Sequence, residues 1–246
     1  SNKKAKGRLP DPLPKPLFLN LGCGKDVREG FVNIDLFGEH PDIVYMDIRK
    51  LQLPDNSADL ILANDILEHF SHRETDLILK EWNRVLKPGA EIIIRCPSLR
   101  LQAKAYLEGK WDADVASLMI FGGQSSPGDY HCIAFDPLSM RKHLEKTGFE
   151  LKDIQEYDLP QEKGYINLNM TVKAAKRSKQ QEIFESEKKK EPQAGGLFEG
   201  IDFDDEEDVT EVKADTEEDI SILQDLVDDK PEDEPKMVEK KTEVPP

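Results

Sequence analysis

The sequence predicts an α/β fold: a doubly wound, largely parallel sheet with a disordered acidic tail behind it. Three observations point there. Short apolar runs alternate with helical stretches over residues 17–176, the pattern of strands buried between helices. The first run enters Gly22-Cys23-Gly24, and the next two each end in an acid, Asp35 and Asp47. The carboxyl ends of strands in such sheets are where ligands sit. The charge, finally, is unevenly spread. The 246 residues carry a net charge of −16, yet residues 177–246 hold 10 Lys/Arg against 24 Asp/Glu, and residues 1–176 hold 24 against 26.

The elements follow in order. Residues 1–16 are basic and proline-dotted and form an N-terminal extension; the folded domain is expected over 17–176. Leu17-Phe18-Leu19-Asn20-Leu21 reads as a buried strand. Phe31–Asp35 and Ile43–Asp47 are the second and third. Asp59–Ala63 is the fourth, introduced by the turn-forming Pro54-Asp55-Asn56-Ser57. Leu77, Leu79, Trp82, Val85 and Leu86 make a helical stripe that Lys87-Pro88-Gly89 should stop. Glu91–Cys96 is a fifth strand. Asp136–Lys146 reads as a helix with Gly148 at its end. Leu151–Tyr157 and Tyr165–Val172 read as two final strands, the latter alternating polar and apolar. Gly24 and Asp35 are so close in sequence that any helix between them must be very short. The segment 98–130, with Gly122-Gly123-Gln124-Ser125-Ser126, looks like a mobile lid, in which Tyr106 and Trp111 either stack on a substrate or pack the lid itself.

Composition narrows the function. The acidic balance argues against nonspecific nucleic-acid or anionic-membrane binding, which needs a basic surface. No apolar run reaches the length of a membrane span, and no signal-peptide pattern opens the chain. Cys23, Cys96 and Cys132 are widely spaced and give no disulfide framework, so a reducing, cytoplasmic setting is expected. The chain starts at Ser1 rather than Met, which suggests a processed or excised piece. In the tail, Ile220, Leu223, Leu226 and Val227 fall near helical spacing. They form either a partner-docking face or part of a merely solubilising tail.

The candidate site residues sit at strand ends. A strand running into Gly22-Cys23-Gly24 lets backbone approach a ligand closely. A dinucleotide fingerprint would need glycine at position 27, where Val27 stands, which disfavours a nicotinamide enzyme. Asp35 can accept hydrogen bonds from a ribose diol, or cap a turn. Asp47 beside Ile48 suits an exocyclic amine next to the flat face of a purine, or again a turn. His69, after the fourth strand, and His131, in the loop after the fifth, are candidate bases; Asp129 could orient His131 and Tyr130 could add a hydroxyl. His69, His72 and Glu68 hint at a metal, but nothing nearby in sequence supplies a further ligand, so none is expected.

Five ordered stretches carry a resemblance. They are Leu19-Asn20-Leu21-Gly22-Cys23-Gly24, Val32-Asn33-Ile34-Asp35, Leu53–Asp59, Ile66-Leu67-Glu68-His69 and Glu81–Gly89. Together they resemble the class I (Rossmann-like) S-adenosylmethionine-dependent methyltransferases, of the small bacterial type 11 kind. The resemblance implies about seven strands with an antiparallel last strand, and S-adenosylmethionine as methyl donor. It implies that Asn20, Gly22, Cys23 and Gly24 border the methionine and ribose, that Asp35 holds the ribose hydroxyls, that Asp47 and Ile48 border the adenine, and that Asn64 and Asp65 lie near the methionine end. Position 20 is often acidic in such proteins and is Asn here; Lys25-Asp26 replaces a small residue. The absence of Asn-Pro-Pro-Tyr after the fourth strand argues against amino-methylating DNA enzymes. A small-molecule or glycan acceptor, methylated on oxygen, is the expectation. The alternative is a non-catalytic cofactor-binding module working through the acidic tail.

Overall fold

The computed structural model describes residues 7–125, 128–160, 166–178 and 180–181, with side chains outside 158–160 and 166–167. Among these, seven strands form one sheet: β1 (Phe18–Leu21), β2 (Val32–Asp35), β3 (Ile43–Tyr45), β4 (Ala58–Asn64), β5 (Leu86–Pro97), β6 (Phe149–Pro160) and β7 (Ile166–Lys176). Their order is β3-β2-β1-β4-β5-β7-β6. β1 to β5 pair in parallel, and β7 lies antiparallel to both β5 and β6. The strand order reverses beside β1, so β1, β2 and β4 open their carboxyl ends onto one crevice.

The helices are α1 (Thr75–Val85), α2 (Leu99–Leu107), α3 (Ala113–Phe121) and α4 (Pro137–Lys146), with a 3-10 turn at Leu67–His69. Trp82 of α1 is fully buried, and its indole N–H donates to the Ile48 carbonyl at 3.0 Å. The same helix reaches back at two further points. Glu81 accepts from the Leu51 amide at 2.7 Å, and Arg84 donates to the Leu51 and Leu53 carbonyls at 3.0 and 2.9 Å. The stretch Glu81–Arg84 is therefore a clamp on the loop after β3. It satisfies that loop's backbone groups, which a buried loop must do, and fixes where Ile48 lies.

Two expectations change. The connection from β1 to β2 contains no helix, not even a short one. Its backbone groups are satisfied by side chains instead. Asn33 accepts from the Arg28 amide and donates to the Arg28 carbonyl, both at 2.9 Å, and Asn20 donates to the Asp26 carbonyl at 2.6 Å. The segment taken as a lid contains two capped helices. Ser98 caps α2 through the Leu101 amide, and Asp112 caps α3 through the Val115 amide at 2.9 Å. Trp111 packs in a small cluster with Ala105, Ala116 and Leu168, while Tyr106 is exposed. The acidic segment read as a disordered tail lies, beyond its first residues, outside the described residues. Among the described residues no helix is long and apolar enough to cross a membrane.

Candidate active site

Two cavities open at the carboxyl ends of β1, β2 and β4. The first, about 320 Å³, is lined by Gly22, Asp35, Ile48, Arg49, Ile66 and Phe70, with Phe37, Met46 and Tyr130 among the remaining walls. Gly22 has φ +65°, and a Cβ there would stand 2.2 Å from Ile66 Cγ1. Only glycine fits, because both the conformation and the space exclude a side chain. Its amide and that of Cys23 donate to the Ile34 carbonyl at 2.8 and 3.2 Å, which ties the loop to β2.

Asp35, 8% exposed, ends β2. Its Oδ2 accepts from the Gly24 amide at 2.9 Å, and its Oδ1 from the Phe37 and Gly38 amides at 2.5 and 2.8 Å. A carboxylate has about four acceptor positions, so most are used on the loops that frame the cleft. Cys23 is buried, and burial, reinforced by Asp35, pushes its thiol pKa up to about 12. It is an inert small residue there.

Asn20 and Asp47, both expected at the cofactor, have protein partners. Asn20 is buried, and its amide also donates to Asn33 Oδ1 at 2.9 Å, so it braces the glycine loop from behind. Asp47 does not line the cleft. Arg49, two residues on, grips it through Nε to Oδ1 at 3.0 Å and a terminal nitrogen to Oδ2 at 2.8 Å, and that hydrogen bonding holds its carboxyl below the usual range. Ile48 lines the cleft. Arg49 also lines the cleft, pairs with Glu74 at 3.2 Å and lies over the Phe70 ring at 5.9 Å. Cys23, Gly24 and Asn64 are absent from the lining.

The second cavity, about 410 Å³, is lined by Asp65, Glu68, His69, His131, Met119 and Asn169, with Asp129 and the Gly122-Gly123 pair at its edge. His69 belongs to both cavities. The two candidate bases, far apart in sequence, meet here edge to face with ring centroids 5.0 Å apart. The chain achieves this by docking the loop onto the 3-10 turn: the Cys132 amide donates to the Glu68 carbonyl at 2.7 Å, and the His131 amide to the Phe121 carbonyl at 3.0 Å. Gly122, at φ +81°, lets the loop fold back, since a Cβ there would stand 2.5 Å from the Asp129 carbonyl oxygen.

The ring states follow from the partners. His69 Nδ1 faces the Tyr130 carbonyl at 3.1 Å, which requires the proton on Nδ1, so in the neutral ring Nε2 carries the lone pair. Burial, helped by the neighbouring His69, holds His131 below the ordinary imidazole pKa, so it is neutral at pH 7. Asp129 does not orient His131 by a hydrogen bond; its Oδ2 accepts from the Ser125 amide and hydroxyl at 3.0 and 2.7 Å. Asp65, at φ +48°, pairs with Arg95 and presents a buried Oδ1 without a partner. Glu68 was not singled out for catalysis by sequence. It is 2% exposed, neither carboxyl oxygen has a hydrogen-bond partner, and burial followed by the charge of Asp65 raises its pKa well above the carboxylate range. His72, its neighbour in the sequence reading, is exposed.

A family model described as a methyltransferase domain matches residues 19–94. A solved S-adenosylmethionine-dependent methyltransferase of Methanosarcina mazei shares the fold, with 20% identity, coverage of 65% of this chain and 92% of that one, and a TM-score of 0.50. The 1,6-didemethyltoxoflavin-N1-methyltransferase of Burkholderia thailandensis, solved with S-adenosylhomocysteine, is 15% identical over 66% of this chain and 71% of that one, with a TM-score of 0.45. A methyltransferase of Archaeoglobus fulgidus is 14% identical over 65% and 86%, with a TM-score of 0.44. No curated protein matches this sequence. The match over residues 19–94 and the seven-stranded sheet give the chain a methyltransferase domain of the S-adenosylmethionine-dependent type. Its cofactor is S-adenosylmethionine.

The first cavity fits that cofactor on its own terms. A side-chain-free turn at Gly22 admits close approach, Asp35 offers a carboxylate at the rim, and Ile48, Met46 and Phe70 give apolar walls for a flat ring. When bound, S-adenosylmethionine supplies an electrophilic methyl on a sulfonium.

Proposed function

We propose that this enzyme methylates an oxygen of a small-molecule or glycan acceptor seated in the 410 Å³ cavity, with the cofactor in the 320 Å³ cleft. The observation that carries the reading is that His69 lines both cavities, so the wall between donor and acceptor is made of imidazole. Neutral imidazoles are hydrogen-bond acceptors for a hydroxyl. His69 and His131 orient the acceptor hydroxyl and draw on its proton as the new O–C bond forms. Displacement at a methyl carbon is dominated by alignment, so a well-held hydroxyl supplies much of the rate. Asp35 holds the ribose, Gly22 admits the chain of the cofactor, and Ile48 borders the adenine. Asp35 has few acceptor positions left, so holding both hydroxyls means releasing one loop amide.

The test uses the full chain, cofactor labelled in the methyl group, and a panel of hydroxylated small molecules and glycans. Label is expected on oxygen, and His69→Ala is expected to cut kcat by about 10²-fold while cofactor affinity changes little. Label found only on nitrogen or carbon, or full turnover by His69→Ala, contradicts the reading. Asp35→Ala is expected to weaken cofactor binding by about 10–100-fold, the worth of hydrogen bonds to a charged group.

A further inference from the structure

We infer that Glu68, His69 and His131 form a binding site for a divalent transition-metal ion, of the Zn²⁺ type, in the wall of the acceptor cavity. Each of the three offers one ligand atom, and these atoms all lie within 4.8 Å of one another. Two imidazoles and one carboxylate are a set that binds zinc while leaving a coordination position open. The decisive group is Glu68. A carboxyl side chain 2% exposed, with both oxygens lacking a hydrogen-bond partner, is costly to bury. A cation beside the two imidazoles removes that cost. The Asp65 Oδ1, buried and equally unpartnered, adds negative potential at the same place.

The second layer of contacts is also in place. Metal-bound histidines generally donate their other ring N–H to a carbonyl or carboxylate, which fixes the tautomer. His69 Nδ1 does so to the Tyr130 carbonyl at 3.1 Å. On the His69 ring, Nε2 is therefore the nitrogen left to face an ion. Bonds of about 2.0–2.1 Å to zinc bring ligand atoms to roughly 3.3 Å from one another, so the site tightens on loading. Glu68 and His69 stand on the 3-10 turn, and His131 comes from the loop docked onto it, so side-chain rotation supplies the adjustment. Sequence spacing could not reveal the set, because the third ligand arrives from a different part of the chain.

The role deepens the oxygen-methylation reading and rests on it. The open position takes the acceptor hydroxyl, whose proton leaves to solvent because the ion lowers its pKa. An oxygen lone pair then forms the O–CH₃ bond, the S–CH₃ bond breaks with its electron pair staying on sulfur, and S-adenosylhomocysteine leaves. With the ion bound, the ring lone pairs are committed to it, and the task of orienting the hydroxyl passes from the imidazoles to the ion.

The experiment is a competition titration of the chelator-treated full chain with Zn²⁺ and, separately, Mg²⁺. One tightly held Zn²⁺ per chain is expected, with Mg²⁺ much weaker. His131→Ala and Glu68→Gln should each weaken Zn²⁺ binding at least about tenfold, and Cys132→Ser should leave it unchanged. Co²⁺ in place of Zn²⁺ should give ligand-field absorption that His131→Ala abolishes. Zinc held equally well by His131→Ala, as the acidic tail or another histidine would hold it, overturns the proposal; so does a preference for Mg²⁺. Cofactor titration of the same samples separates the two readings. Cofactor binding without site-specific zinc sinks the metal site alone, and zinc binding without methylation of any oxygen sinks the role but not the site.

Discussion

At the scale of single residues, Gly22 and Asp35 are each held in place by their neighbours. Gly22 combines φ +65° with an Ile66 side chain 2.2 Å from where a Cβ would be. Gly22→Ala is therefore expected to cost about 1–3 kcal/mol of stability and to displace the loop that admits the cofactor. Thermal melting and cofactor titration on the same sample check this; wild-type behaviour in both would remove Gly22 from the site. The positions of Asp35 and Ile48 on the cleft wall were legible from the ends of their strands. Asp47 was not, because a sequence does not say that Arg49 folds back on it through a bidentate pair. Glu68 escaped for a related reason. Its isolation from any hydrogen-bond partner is a property of packing, and no spacing rule announces it.

At the scale of elements, caps and clamps decide where the site residues stand. α4 opens on a capping box in which Asp136 accepts from the Ser139 amide at 2.7 Å and Ser139 Oγ accepts from the Asp136 amide at 3.0 Å. Asp136→Ala should lower stability by about 1 kcal/mol. The pH dependence has a definite sign. The Ser139 amide holds the Asp136 carboxyl below its ordinary 3.8, so its stabilisation is present above that value and lost as pH falls through the folded pKa. The urea midpoint of the wild type should thus drop more between pH 5 and pH 3 than that of Asp136→Asn; equal drops would contradict the cap. The first five strands were readable because apolar runs end at turn-forming residues, and α1 because its apolar stripe is periodic. The two helices α2 and α3 were missed. α3, Ala-Asp-Val-Ala-Ser-Leu-Met-Ile-Phe, is apolar nearly all round and shows no face, and α2 is short with little contrast between its sides. The β1–β2 connection was read as a short helix because helices usually fill such crossovers; here asparagine side chains do that work.

At the scale of the whole molecule, the hydrophobic core runs from Leu17 to Ala174, and the compact unit that contains it ends at Pro192. Deleting residues 193–246 should leave the urea midpoint and the cofactor affinity unchanged at moderate salt, even though that stretch carries much of the net charge of −16. A large loss of either would give the acidic segment a structural role that the core does not require. The composition set the acidic segment apart, and the alternating elements pointed to an α/β sheet, whereas the strand order is a finding of the structure. So is the meeting of His69 with His131, since it depends on a loop returning across the sheet end to the 3-10 turn.

The most direct test of the central claim is calorimetric titration of the full chain with S-adenosylmethionine and with S-adenosylhomocysteine, beside Asp35→Ala. The account predicts one site per chain for both ligands in the wild type and about 10–100-fold weaker binding in the variant. No binding by the folded wild type, or equal binding by Asp35→Ala, would contradict the placement of the cofactor in the cleft formed by Gly22, Asp35 and Ile48.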